Sequence, residues 1–160
     1  MARDAFDLSD TQHPPLAGFN YAWRWLEENH YPLPQAELDR IRPLDDATAK
    51  RAWDYAMKWH AKDVFDARPS AESFGTIDTL EQPHEHDAVN WLTQRLAGFG
   101  RLPIIVSWQP GSGVLTDAEL FTERWESFCY PASDDVDIWP LDASWVVTYW
   151  HEEQLWFGRD

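Results

Sequence analysis

Hydrophobic and polar positions alternate most clearly near the C-terminal end of the chain. Segments 136–139, 145–150 and 154–157 are short runs of β-branched and aromatic residues, and segments 140–144 and 151–153 between them are rich in turn-forming residues. Runs of this length bounded by such residues are typical of strands joined by tight connections. The pattern predicts an antiparallel meander of three strands.

Helical spacing of apolar residues predicts four helices upstream of the meander. They are a short helix from about residue 34 that ends before Pro43, longer helices at 47–61 and 84–97, and a helix opened by the capping box Thr116-x-x-Glu119. On the last of these, Phe121, Trp125 and Phe128 share one face, so Trp125 is expected in the core.

The remaining segments complete an expected α+β domain over residues 1–160. Residues 1–18 are interpreted as an irregular lead-in, 19–26 as a strand because aromatic residues alternate, 62–82 as a long loop, and 103–108 as a central strand. The predicted fold is a mostly antiparallel sheet of about five strands, ending in the meander, with helices packed on one face.

Charge narrows the classes of partner. The formal net charge is −15, and residues 81–160 hold 14 acidic and 4 basic residues, a net of −10. Such a charge repels nucleic acid and anionic membrane and attracts basic proteins. We therefore expect a protein partner that is basic, and neither nucleic acid nor membrane.

Two further features predict a cytoplasmic protein. No apolar run approaches the roughly 20 residues that a membrane-spanning helix needs, and residues 1–10 lack the apolar stretch of a signal peptide. Cys129 is the only cysteine in the chain, so no intrachain disulfide is possible.

Two stretches of the chain are distinctive. The first is Trp23-x-x-Leu26 followed by residues 33–44; the second is residues 120–131, then 133–135, closing on Phe157-Gly158-Arg159. Together they resemble a family of small acidic bacterial proteins whose function is not established. The closing pattern, from Trp145 through 151–153 to Gly158, also resembles immunity proteins of polymorphic toxin systems. The resemblance implies toxin neutralisation and supplies no catalytic residues.

The sequence offers little that indicates catalysis or metal binding. His84 and His86 lie two residues apart at the start of a predicted helix, where their side chains diverge by about 200° around the axis, so we expect no metal site. Cys129 lies between aromatic residues, which indicates burial and argues against a nucleophile with His151 as its base. We predict no catalytic residue, no cofactor and no metal.

Acidic residues cluster around the meander. Alternation places Val136, Ile138, Leu155 and Phe157 towards the helices and leaves a mixed polar and tryptophan face outward. We predict that this outer face and the strand ends bind the partner. The residues concerned are Asp134, Asp135, Asp137, Trp139, Trp150, Glu152, Glu153 and Trp156. One alternative is that a loop or a second layer of helices covers this face and leaves the acidic residues as solvated turns. A pair of catalytic or cation-binding carboxylates is the other.

The function expected from the sequence is therefore binding, with catalysis less favoured. The first hypothesis is an immunity-type inhibitor that neutralises a basic toxin domain. The alternative is a small-ligand or carbohydrate-binding protein, or a hydrolase, with a cleft lined by carboxylates and tryptophans. A third hypothesis is a structural protein that assembles from identical copies.

Overall fold

The computed structural model describes residues 3–160 and shows one antiparallel sheet with helices on both of its faces. The strands are β1 (Arg42–Pro43), β2 (Thr76–Glu81), β3 (Pro103–Gln109), β4 (Ser112–Asp117), β5 (Val136–Pro140), β6 (Trp145–Trp150) and β7 (Gln154–Arg159). The α-helices are α1 (Trp23–Leu26), α2 (Gln35–Leu38), α3 (Asp46–Met57), α4 (Glu85–Leu96), α5 (Ala118–Glu123) and α6 (Trp125–Phe128). The strand order across the sheet is β1-β4-β3-β5-β6-β7-β2.

The predicted α+β class and the C-terminal meander are confirmed. β5, β6 and β7 are consecutive neighbours, and β3 lies inside the sheet between β4 and β5, as its apolar sequence indicates. Val136, Ile138, Leu155 and Phe157 face the large core that α4, α5 and α6 cover. Trp125 belongs to the same core and is buried, as expected.

The other face of the sheet is also covered, which corresponds to the alternative of a covered outer face and not to the preferred prediction of an exposed one. Ile105 on β3 and Trp139 on β5 point away from the large core and pack with Ala49, Ala52 and Ala56 of α3. Small alanine side chains let α3 approach the sheet closely, and the buried ring of Phe6 completes this second core. Residues 3–15 form no helix or strand, and the ring of Phe6 fixes this segment against the domain.

Three strands were not predicted, namely β2, β4 and the two-residue β1, and one predicted strand is helical. Residues 76–81 form β2 at one edge of the sheet, inside the segment interpreted as a loop, and residues 112–117 form β4, partly inside the segment interpreted as a turn and helix start. Residues 19–26 are not a strand: backbone bonds from Ala22 N to Phe19 O and from Trp25 N to Ala22 O form helical turns. Residues three apart then share one face, which lets Phe19 stack on Trp25.

Helix ends follow local chemistry. The Asp45 carboxylate accepts a hydrogen bond from Thr48 N and caps α3. Asp117, and not the predicted Thr116, caps α5 by accepting from Leu120 N. Within residues 3–160, no helix has the length and apolar character needed to cross a bilayer.

Candidate partner-binding cleft

A cleft of about 470 Å³ opens on the α3 face of the sheet, next to the C-terminal end of α3. Its lining combines aromatic and acidic side chains, and among the described residues it includes three aspartates and no lysine or arginine. The lining residues are Trp53, Met57, His60, Phe65, Asp66, Ala67, Ser107, Trp108, Gln109, Pro110, Asp135, Val136, Asp137, Trp150 and His151. With three aspartates and neither lysine nor arginine in its described lining, the cleft suits a positively charged group.

The floor of the cleft is a row of polar residues set by strand register. Ser107 on β3 pairs across the sheet with Asp137 on β5, which pairs with Thr148 on β6. All three are buried. Thr148 Oγ1 donates to Asp137 Oδ1 at 2.8 Å, whereas Ser107 Oγ makes no hydrogen bond to any residue between 3 and 160. An unsatisfied buried hydroxyl costs about 1–3 kcal/mol, so Ser107 marks a place where a partner atom would be stabilising.

One wall of the cleft is the segment after α3, which we call the 59–70 loop. Backbone hydrogen bonds from Ser70 N to Trp59 O (2.7 Å) and from Ala61 N to Arg68 O (2.9 Å) close the base of this loop. Near its tip, the Asp66 carboxylate accepts from Arg68 N, Nε and NH2. These bonds give the loop a defined shape although it contains no helix or strand.

His60 ties the 59–70 loop to the floor of the cleft. Its Nε2 lies 2.7 Å from Asp137 Oδ2, so both carboxylate oxygens of Asp137 are engaged. Burial by itself would lower the pKa of His60, but the negative charge of Asp137 and the hydrogen bond to it outweigh burial and raise the pKa above its ordinary value. The positive charge on His60 is thereby favoured in the folded protein.

We expect His60→Gln to remove a pH-dependent part of the stability. Because the folded state raises the pKa of His60, its stabilisation is fully present below pH 6.5 and is lost as the pH rises through the raised pKa. At pH 6 the free energy of unfolding of the variant should be about 1–3 kcal/mol lower than that of wild type. The difference should shrink towards pH 9. Urea unfolding across this range measures the effect.

His84→Gln is the matched control for that experiment. His84 is exposed and its side chain makes no capping hydrogen bond at the start of α4, so its replacement should leave the pH profile unchanged. A constant offset between wild type and His60→Gln from pH 6 to pH 9 would contradict the role assigned to His60.

Exposed hydrophobic side chains stand at the rim of the cleft. Phe65, near the tip of the 59–70 loop, is fully exposed, and the neighbouring Val64 is also exposed. Trp53 and Trp150 line the cleft and are only half-buried. A large aromatic side chain held entirely in water is unfavourable unless something covers it, because burying it contributes about 1.5–3 kcal/mol.

Asp135 lies at the end of the cleft near the β6–β7 turn. Its Oδ1 accepts from His151 N at 3.0 Å and lies 2.9 Å from His151 Nδ1. Oδ2 of Asp135 has no hydrogen-bond partner within residues 3–160, and the residue is exposed. Asp66 and Asp137, by contrast, are paired with Arg68 and His60. Asp135 pairs with His151 through Oδ1 alone, so it is the cleft aspartate that keeps one carboxylate oxygen free.

The structure separates the predicted partner-binding residues into a surface group and a buried group. Asp135, Glu152 and Glu153 are exposed and Trp150 is half-buried, all near the cleft or on the adjoining β6–β7 turn. The expectation that Trp139 and Trp156 are exposed is wrong, since they are 0% and 2% exposed. Trp139 is covered by Phe6, Tyr55 and Trp59, and the Arg68 guanidinium lies over the ring of Trp156.

The two buried aspartates of the predicted set have internal partners. Asp137 belongs to the cleft floor, and Asp134 forms a two-pronged ion pair with the buried Arg24, with NH1–Oδ2 at 2.6 Å and NH2–Oδ1 at 3.0 Å. Asp134 also accepts from Tyr130 N at 2.8 Å. Asp134 thus supports the surface from below, whereas Asp137 contributes to it only as the floor of the cleft.

Other candidate chemistry is not assembled. Cys129 is buried, and burial raises the pKa of its thiol well above the ordinary value, while His151 contacts Asp135 instead. α4 begins at Glu85, so His84 and His86 stand at a helix start as expected. Among the residues that the structure describes, no group of three or more histidine, cysteine or acidic side chains is placed to hold a metal ion.

The sequence analysis missed the residues that define the cleft: His60, Phe65 and Ser107. His60 falls within the helix predicted at 47–61, but α3 ends at Met57 and His60 lies beyond it. Phe65 lies in a segment without periodicity, and only its size and its aspartate neighbours set it apart there. Ser107 is the one polar residue between Ile104 and Trp108, an interruption that hints at a polar floor.

Comparison with known protein families, with curated proteins and with solved structures yields no match for this chain. The resemblance to immunity proteins accordingly stays a prediction. Evidence for function comes from the geometry and charge of the cleft.

Proposed function

We propose that this protein binds a basic protein partner through the cleft and its rim, and that it acts as an immunity-type inhibitor of a toxin domain. The observation with most weight is Phe65, a fully exposed aromatic side chain on a loop held in shape by its own hydrogen bonds. Aromatic residues surrounded by polar groups are the usual anchors of protein interfaces.

Charge supports a basic partner. The cleft lining contains three aspartates without a lysine or arginine among the described residues, and the chain as a whole has a net charge of −15. Such a field raises association rates by roughly 10–10³ at low salt, and salt screens it. Fast association followed by anchoring of Phe65 suits an inhibitor that must capture its target before the target acts. A cytoplasmic location belongs to the same proposal.

The hydrolase alternative has less support. Glycoside hydrolysis needs two carboxyl groups free to act on one bond. Both oxygens of Asp137 are engaged by His60 and Thr148, and Asp66 is held by Arg68. Asp135 is therefore the one cleft carboxylate with a free oxygen among the described residues, and no second carboxylate is free to act with it.

We expect Phe65→Ala to weaken partner binding without affecting the fold. The natural partner to test is the protein encoded by the neighbouring gene, because the genes of immunity proteins lie beside those of their toxins. Loss of one buried Phe at an interface corresponds to about 1.5–3 kcal/mol, or roughly 10- to 150-fold in Kd. Calorimetric titration gives Kd, and urea unfolding should show a change below about 0.5 kcal/mol.

Phe99→Ala is the matched control. Phe99 is also exposed, but it contacts Trp145, whose side chain belongs to the core on the opposite face of the sheet. Its replacement should leave Kd unchanged. Equal effects of the two substitutions, or no binding by the wild type, would refute the proposed site.

A further inference from the structure

We propose that the cleft is a subsite for a single arginine side chain of the partner, with Asp135 as its counter-ion and Trp150 as its stacking surface. The inference rests on the proposed function, because it names the group by which the basic partner is recognised. Three observations support it: the unpaired carboxylate oxygen, the aromatic lining, and the unsatisfied hydroxyl of Ser107.

The first observation concerns charge. Asp135 is the cleft carboxylate with an oxygen free of hydrogen bonds, and no lysine or arginine of the described chain lines the cleft. A guanidinium group is planar, always charged, and donates in a fork that fits a carboxylate. An ammonium group lacks both the plane and the fork, so an arginine fits this arrangement better than a lysine.

The second observation concerns the walls. Trp53, Trp108 and Trp150 all line the cleft, and two of them are half-buried with ring surface open to solvent. Cations are attracted to the faces of tryptophan rings within about 6 Å, and guanidinium groups stack on them. The alkyl part of an arginine side chain would at the same time cover apolar ring surface.

The chain holds one of its own arginines in the same manner. The Arg24 guanidinium donates two hydrogen bonds to the Asp134 carboxylate. It lies 4.5 Å from the ring centroids of both Tyr21 and Tyr130 and 5.5 Å from that of Trp108. Trp108 contributes to this internal site and to the cleft. On one side of Trp108, a carboxylate and aromatic faces bind the chain's own Arg24. On the cleft side, a carboxylate and aromatic faces are present without an arginine of the described chain.

The third observation is the floor of the cleft. Ser107 is 3% exposed, and its hydroxyl has no hydrogen-bond partner among residues 3–160. A hydroxyl can accept from a guanidinium N–H. Ser107 therefore gives the cleft a polar group at its base in addition to the carboxylate at its end.

The test uses a short probe and the intact protein. Nuclear magnetic resonance of the tryptophan indole N–H groups follows titration with the peptide acetyl-Gly-Arg-Gly-amide at low salt. The control probe replaces arginine by citrulline, which has the same shape without the charge. We expect saturable shifts of the Trp150 and Trp53 signals with the arginine peptide, and at least about tenfold weaker binding of the citrulline peptide.

Two variants complete the test. Asp135→Asn should weaken binding of the arginine peptide by at least about tenfold. Asp142→Asn should have no effect: Asp142 is likewise exposed and accepts from a backbone N–H in a turn, that of Ser144, but it lies beyond the other end of β5. The citrulline comparison needs no variant, so it remains decisive whatever the stability of Asp135→Asn.

The outcomes separate this inference from the proposed function. Equal binding of both peptides, indifference to Asp135→Asn, or no shift of either tryptophan would overturn the arginine subsite. Binding of the neighbouring gene's product that depends on Phe65 but is unaffected by Asp135→Asn would overturn it too, while leaving the proposed function intact. Specific arginine-peptide binding without a basic protein partner would instead refute the proposed function alone.

Discussion

Replacing Asp134 by asparagine is expected to lower the free energy of unfolding by about 3–5 kcal/mol. Arg24 is 2% exposed and gives two hydrogen bonds to this carboxylate. The substitution leaves the guanidinium charge buried without a counter-ion. Nearby aromatic rings stabilise a cation only partly, so they would not replace the carboxylate.

Urea unfolding measures this loss, and two variants control for it. Asp54→Asn breaks the exposed pair with Lys50 and should cost at most about 1 kcal/mol. The double variant Arg24→Met with Asp134→Asn should be more stable than Asp134→Asn alone, because it removes the stranded charge. A double variant less stable than the single one would show that the cost arises from lost packing.

Trp139→Ala is expected to cost about 3–5 kcal/mol, because it empties the centre of the second core. The indole is 0% exposed, and its ring centroids lie 5.3 Å from Trp59, 5.8 Å from Tyr55 and 6.2 Å from Phe6. These neighbours come from α3, the 59–70 loop and the N-terminal segment, which cannot all close the space left behind.

Trp150→Ala provides the comparison for Trp139→Ala. Trp150 lies on the same face of the meander but is half-buried in the cleft, so its loss should cost clearly less stability and should instead weaken partner binding. A Trp139→Ala variant that unfolds within about 1 kcal/mol of wild type would mean that α3 and residues 3–6 do not cover this face.

The sequence was most informative where one physical signal dominates. In the meander, alternation places Val136, Ile138, Leu155 and Phe157 in one core, and the structure confirms it. Edge strand β2 was not predicted because it presents only one apolar residue to each core. Leu80 packs against the large core and Ile77 against the second core. β4 was not predicted because it includes Gly113. A side chain at this position would meet the Leu44 side chain at 3.1 Å and the Val106 carbonyl at 3.3 Å.

The candidate site was predictable only in part, because tertiary contacts decide which residues remain at the surface. Alternation correctly assigned Trp139 and Trp156 to the face opposite the large core, but it contains no information about α3 covering that face. His60 and Asp137 are 77 residues apart, and no local pattern indicates that they meet. Charge, in contrast, was visible from the start, and it points to the same class of partner as the acidic lining of the cleft.

The central claim is that a basic protein binds at the cleft, and hydrogen exchange of backbone amides tests it most directly. Exchange is measured for the protein alone and in complex with the product of the neighbouring gene. We predict slower exchange in the complex for residues 59–68, for the β3–β4 turn and for residues 150–153. Failure to form a complex, or slowing confined to β2 or the outer surface of α4 with unchanged exchange around the cleft, would contradict the claim.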